Sequence, residues 1–172
     1  MNLEEILTKI SGMDSPNVIV TGAQRSGTRI AAKIIAQETG LKYIDENDIE
    51  IDNLYLFFKA YIEEDDFVLH APGLSHIIHE LPQDCLFIWM RRPEKEIIDS
   101  IKRVNWDGNE RELTKYFTSA GDSWRIKERV FQMFQKKMSN CVELYYHDLQ
   151  DHPLFIAKEN RINFKPDQTC EL

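Results

Sequence analysis

Cysteine is scarce in this chain. Only three occur among 172 residues, Cys85, Cys141 and Cys170. Their wide separation excludes a disulfide framework and a thiolate metal motif. Two read as small core residues and the third as part of the tail, a usage that suits a reducing, cytoplasmic setting. Basic residues are also in deficit, with 21 Lys and Arg against 29 Asp and Glu and a net charge of −8. A general grip on DNA or RNA phosphates needs the opposite balance, so no nucleic-acid partner is expected. No apolar stretch approaches the roughly 20 residues that span a bilayer, so no membrane partner is expected. The opening MNLEEILTKI is acidic and amphipathic and lacks a signal-peptide layout. His76 and His79 have no carboxylate or cysteine support nearby, so no metal site is expected. Repeats, low-complexity stretches and domain linkers are likewise missing.

What remains is ordinary globular material, 42% apolar and 29% charged. One domain over residues 1–172 is expected, long enough to bury a core. Residues 17–21, NVIVT, read as a strand buried on both faces. A helix follows from about Gly27 to Glu38, stopped by Gly40. LKYID and DDFVLHAPG hold further strands, and NLYLFFKAYI, helix or strand by pattern, is long enough to favour helix. LSHIIHEL makes a helical turn or two before Pro82. CLFIWMRRP is the strongest strand, and Pro93 suits the first turn of the helix EKEIIDSIKRV. Residues 105–121 read as loop with some helix. DSWRIKERVFQMFQKKMSN is a long amphipathic helix with Asp122 as its cap, and CVELYY is the last strand, followed by the short turn HDLQDHP. Alternating strands and helices predict an α/β fold, a central parallel sheet covered on both sides.

Ligands of such sheets bind beyond the carboxyl ends of the strands, and three features lie there. The first is GAQRSGTR, residues 22–29. Gly22 and Gly27 allow a sharp turn whose amides point at one anion, and the following helix adds its own free amides. Ser26 and Thr28 add hydroxyls and Arg25 a fixed charge. The glycine spacing matches the triphosphate-binding pattern G-x-x-x-x-G-K-[ST], but Thr28 and Arg29 stand where lysine and hydroxyl belong. The second is RRPEKEIIDSIKR. Ser100 and Arg103 share a helix face, and Arg92 can fold back toward it, making a second dianion pocket. The third is His70.

These motifs carry a resemblance. GAQRSGTR after an apolar strand resembles the phosphosulfate loop of sulfotransferases, [KR]-S-G-T-[TS]. RRPEKEIIDSIKR resembles their 3′-phosphate motif, an arginine, a spacer with proline and a serine eight residues on. LYYHDLQDHP is similar to the family's Y-E-D-L segment, with His147 in place of glutamate. The likeness covers residues 17–153. It implies a three-layer αβα fold of the P-loop nucleotide-binding type and the donor 3′-phosphoadenosine-5′-phosphosulfate, converted to adenosine 3′,5′-bisphosphate. It implies catalytic Arg25 beside the bridging oxygen, and Gly22, Ser26, Gly27, Thr28 and Arg29 around the 5′-phosphate. Arg92 and Ser100 would take the 3′-phosphate, and Tyr146 would lie near the adenine. His70, in the H-x-P context LHAP, would be the general base toward a hydroxyl or amine on a small-molecule or glycan acceptor. A histidine near its ordinary pKa of about 6.5 suits that task at neutral pH.

The chain departs from the family at Arg29, which replaces a small hydroxyl residue, and at Ile30, which replaces an aromatic. No R-K-G segment follows to grip the 3′-phosphate. Two expectations stay open: weak donor affinity, or a pocket completed in a homo-oligomer. Phe164 is a candidate cover for the adenine. Two rival functions share the same sheet and loop. A P-loop kinase or triphosphatase should carry a lysine after Gly27 and an acidic strand end for magnesium. A nucleotide-binding module without turnover should keep the cradle alone. Trp89, Phe131 and Phe134 read as core and IEEDD as a solvated turn. Trp106 and Trp124 flank 105–121, which reads as plain surface loop or as a lid over the acceptor.

Overall fold

In the computed structural model, residues 1–48, 66–76, 78–81, 84–103, 120–138 and 140–155 are described. NLYLFFKAYI, most of IEEDD, nearly all of 105–121 with Trp106, and Phe164 and Cys170 lie outside them, as do the side chains of Trp124 and Phe134.

Among the described residues, short apolar runs form strands β1 (Asn17–Gly22), β2 (Lys42–Asp45), β3 (Phe67–His70), β4 (Leu86–Arg91) and β5 (Cys141–Tyr145). All pair in parallel, in the order β2-β3-β1-β4-β5. Their near-continuous hydrophobicity follows from having both faces covered. On one face Val18, Val20, Val68, Leu86 and Ile88 pack with Ile6 and Ile10 of helix α1 (Leu3–Ser11) and Ala31, Ile34 and Ile35 of α2 (Thr28–Thr39). On the other, Ile19, Leu69, Phe87 and Trp89 pack with Phe131 of α4 (Ala120–Phe134) and with the turns after β3. Trp89 and Phe131 stack with ring centroids 4.3 Å apart. The α/β class and the three layers are therefore as expected. Helix α3 (Glu94–Arg103) adds Ile97 and Ile101 against Ala23.

Local chemistry explains several boundaries. Asn2 and Glu5 form a reciprocal capping box that starts α1. Gly40, at φ 74°, ends α2 in the left-handed conformation and donates its N–H to the Ala36 carbonyl. Helix α4 already runs from Ala120, so Asp122 sits within its first turn and is not the cap. The last strand stops at Tyr145, and Tyr146 opens a 3₁₀ turn. Where a helical turn or two was expected, Pro72–His76 and Ile78–Glu80 form two short 3₁₀ turns. No helix of the described residues is long and apolar enough to cross a membrane.

The strand order creates a cleft. From β1 the chain leaves through α2 toward the β2 edge, whereas from β4 it leaves toward the β5 edge. The connections diverge between β1 and β4, the place where open α/β sheets hold ligands. Ala23, Trp89, Met90, Arg91, Arg92 and Glu128 line an opening there.

The two consecutive arginines at this edge part company. Arg91 turns toward the sheet and α4. It donates from Nε and Nη2 to both oxygens of Glu143, at 3.0 and 2.9 Å, and from Nη1 to Glu128. Its guanidinium also lies over the Phe131 ring, 4.8 Å from the centroid. Arg91 therefore clamps β4, β5 and α4 at the wall of the cleft, while Arg92 turns to the loop after β1. Removing the cation leaves two half-buried carboxylates unneutralised. Arg91→Met should cost about 3 kcal/mol in urea unfolding at pH 7, and adding Glu128→Gln with Glu143→Gln should recover more than half. A loss below about 1 kcal/mol would show the clamp to be an ordinary surface pair.

Candidate functional site

The turn after β1 is shaped by three positive φ angles, at Gly22 (139°), Arg25 (68°) and Gly27 (99°). At Gly22 a side chain would press on the Met90 carbonyl, 3.1 Å from a built Cβ. At Gly27 it would collide with the Tyr146 ring. Both glycines are thus demanded by close approach as well as by φ. Ser26 does not face solvent. Its hydroxyl and its N–H both donate to the Ala23 carbonyl, at 2.7 and 3.1 Å, and lock the turn. The first α-helical bond of α2 runs from the Ala31 N–H to the Gly27 carbonyl, so the amides of Thr28, Arg29 and Ile30 lie ahead of it. An anion over this turn would meet those amides and the positive end of the α2 dipole.

On the β4 side, the end of β4 and the helix α3 after it position the second group of residues. Arg92 donates from Nη1 to the Arg25 carbonyl at 2.9 Å and from Nε to Glu96 at 3.1 Å. Its guanidinium lies 3.9 Å from the Tyr146 ring centroid, a stacking contact. Arg25 reaches the same place from the loop, its Nε donating to Ser100 Oγ at 3.2 Å. Arg25, Arg92, Ser100 and Tyr146, drawn from three separate segments, are brought together. Tyr146 is 5% exposed and is wedged between Gly27 and Arg92, with Phe155 edge-on at 5.2 Å. Glu96, which sequence reasoning passed over, tempers this cationic group and also contacts His147 Nε2 at 3.1 Å.

On the β3 side, register does the positioning. Asp45 pairs with His70 across β2 and β3. Asp45 Oδ2 lies 3.3 Å from His70 Nδ1, a contact short of hydrogen-bond geometry. It also accepts from the Tyr43 hydroxyl at 2.7 Å and pairs with Arg29 Nε at 3.0 Å. His70 Nε2 meets Thr28 Oγ1 at 3.0 Å. Burial pushes the Asp45 carboxyl up, but the Tyr43 hydroxyl, the Asn47 amide and the charges of His70 and Arg29 outweigh it and bring the pKa down to about 2. An ionised Asp45 opposite Nδ1 favours the proton on that nitrogen. Nε2 is then the acceptor, and the Thr28 hydroxyl donates to it.

His70 does not keep the ordinary pKa expected of it. Burial lowers the value to about 4, against the opposing pull of Asp45. The ring is neutral at physiological pH and 4% exposed. Arg29, half exposed, has its side chain paired with Asp45.

Two further groups went unnoticed in the sequence. Lys127 of α4 is 2% exposed. It donates to Gln24 Oε1 of the loop at 2.5 Å and to the Pro72 carbonyl at 3.1 Å. Glu46, just after β2, accepts from the Gly73 N–H at 2.7 Å. A signal for Lys127 existed: it precedes the core residue Phe131 by four positions and so shares its buried stripe. The chain matches no family model and no curated protein.

The depressed pKa of His70 has a consequence for stability. Between pH 6.5 and 4 the unfolded chain binds a proton on this residue and the folded chain does not. Stability therefore falls as pH drops through that window, by about 3 kcal/mol at most for a shift of this size. Urea unfolding of the wild type and His70→Asn from pH 7 to 4 should show the steeper decline in the wild type. Parallel pH profiles would contradict the burial of a neutral ring.

Proposed function

We propose that the chain is a sulfotransferase that uses 3′-phosphoadenosine-5′-phosphosulfate, on a P-loop-like scaffold. The observation that carries this reading is the meeting of Arg25 with Ser100 and Arg92 beside a glycine turn without lysine, at the β1–β4 cleft. Two anion-binding groups side by side suit a nucleoside phosphorylated at both ends. The amides at the start of α2, with Gly22, Ser26 and Gly27 shaping the turn, would hold the 5′ end. Arg92 and Ser100 would hold the 3′-phosphate, and Tyr146 would support that end from beneath Arg92. The donor supplies an activated sulfuryl group when bound.

The chain's own residues supply the rest. Arg25 offers a fixed positive charge where negative charge develops, and being held by Ser100 it needs little reorganisation. His70 sits behind Thr28, so a proton from an acceptor hydroxyl or amine would reach Nε2 by way of the Thr28 hydroxyl. Asp45, facing Nδ1, would stabilise the imidazolium so formed. Thr28 stands where a triphosphatase lysine would be and Arg29 where its magnesium-binding hydroxyl would be, which weighs against phosphoryl transfer from a magnesium nucleotide. A binding module without turnover keeps the same cradle, and the deep burial of His70 favours that second reading to the extent that it removes a direct base.

Calorimetry without magnesium tests the nucleotide. Adenosine 3′,5′-bisphosphate should bind, and Arg92→Ala and Ser100→Ala should weaken it by about tenfold or more in the arginine case and less in the serine case. Adenosine 5′-phosphate, lacking the 3′ group, should lose much less. Equal losses for the two ligands would contradict the assignment.

Turnover of the donor separates enzyme from binder. His70→Asn should lower it by about a hundredfold while leaving bisphosphate affinity nearly unchanged. A wild type that binds but never turns over, with every acceptor class tried, would leave the binding module as the better reading.

A further inference from the structure

The glycine turn lacks a lysine of its own, and its two arginines already have partners. Arg29 is paired with Asp45, and Arg25 reaches to the β4 side, toward Ser100. On the β3 side of the turn the cation comes from far along the chain. Lys127 enters from α4 and binds the side chain of Gln24, within the turn, and the carbonyl of Pro72. These two neutral acceptors leave one of its three N–H donors without an acceptor among the described residues. A buried ammonium is costly unless paired with charge and hydrogen bonds. The titratable group acting on it is Glu46, which comes from beyond β2 and is itself held by the Gly73 amide. Burial raises the Glu46 pKa, so this carboxylate is an uneasy counter-charge.

Gln24 Oε1 is a neutral oxygen, whereas an anion seated on the turn would present charged ones. Charge-assisted hydrogen bonds are roughly twice as strong as neutral ones, so the ammonium gains by exchanging partners. We propose that Lys127 serves as the lysine of the glycine turn, supplied by helix α4, and engages the linked anionic groups at the 5′ end of the bound ligand. The proposal rests on the nucleotide reading for the identity of that ligand, but the anion chemistry stands apart from the adenosine.

Burial lowers the Lys127 pKa to about 8, with Glu46 pulling the other way. An anion at hydrogen-bond distance must raise it again, so binding near pH 8 should draw a proton from the buffer. A lysine that merely braces α4 against the sheet would show no such uptake. Calorimetry at pH 8 in two buffers of different ionisation enthalpy measures this directly, with adenosine 3′,5′-bisphosphate and inorganic pyrophosphate as probes. For the wild type we expect uptake of up to about half a proton per ligand. Lys127→Met should abolish the uptake and weaken binding by about tenfold or more.

The wild-type measurement decides even if the variant fails to fold, since binding of either probe without proton uptake overturns the proposal. Equal affinity and equal uptake in Lys127→Met overturn it as well. If the bisphosphate fails to bind while pyrophosphate binds with uptake that Lys127→Met abolishes, the nucleotide reading falls and the role of Lys127 stands. Failure of both probes overturns the two together.

Discussion

The guanidinium of Arg92 joins everything else in the cleft. It leaves the end of β4, holds the carbonyl of Arg25 in a turn that begins at the end of β1, and pairs with Glu96 one helical turn away. Beneath it lies the Tyr146 ring, which in turn packs on Gly27. One planar cation thus connects three strand ends by hydrogen bond, ion pair and stacking. A lysine could supply the charge but not the fork or the stacking face. The left-handed conformation of Arg25 is costly for a residue with a side chain. The bond from Arg92 to its carbonyl is one of the contacts that hold it there.

Around this junction the fold distributes charge unevenly. The β4 side is cationic and tempered by Glu96. The β3 side is a buried polar chain from Thr28 through His70 to Asp45 and Arg29, in which only Arg29 is well exposed. Lys127, held by Gln24 and Pro72, and Glu46, held by Gly73, lie on the same side. Most of these polar groups find hydrogen-bond partners, although His70 Nδ1 has only its ionic contact with Asp45. Their common feature is position: all lie at the carboxyl ends of parallel strands, where the amides of α2 already favour negative charge. The proposed donor, with anionic groups at two ends, makes use of both sides of the cleft.

Much of this was legible in the sequence, for identifiable reasons. Continuous apolar runs at Val18–Val20 and Leu86–Met90 announce buried parallel strands, and Gly22, Gly27 and Gly40 mark turns that only glycine fits well. The nearness of Arg25, Arg92 and Ser100 followed from the rule that strand ends converge. Side-chain direction was not legible. Nothing local distinguishes Arg91, spent on Glu128 and Glu143, from Arg92, turned to the loop. The state of His70 was hidden too, because its pKa depends on Asp45, Arg29 and burial contributed by segments far away in the chain. Lys127 was lost among the charges of an amphipathic helix, although its spacing from Phe131 placed it on the core side.

The central claim is that one ligand bridges the turn after β1 and the Arg92–Ser100 group. A crystal structure with adenosine 3′,5′-bisphosphate, grown without divalent metal, tests it most directly. The account predicts the 5′-phosphate within about 3.2 Å of the first amides of α2 and the 3′-phosphate at similar distance from Arg92 and Ser100. Nucleotide bound away from the β1–β4 cleft, or with its 3′-phosphate in solvent and Arg92 still held only by Glu96 and the Arg25 carbonyl, would contradict it.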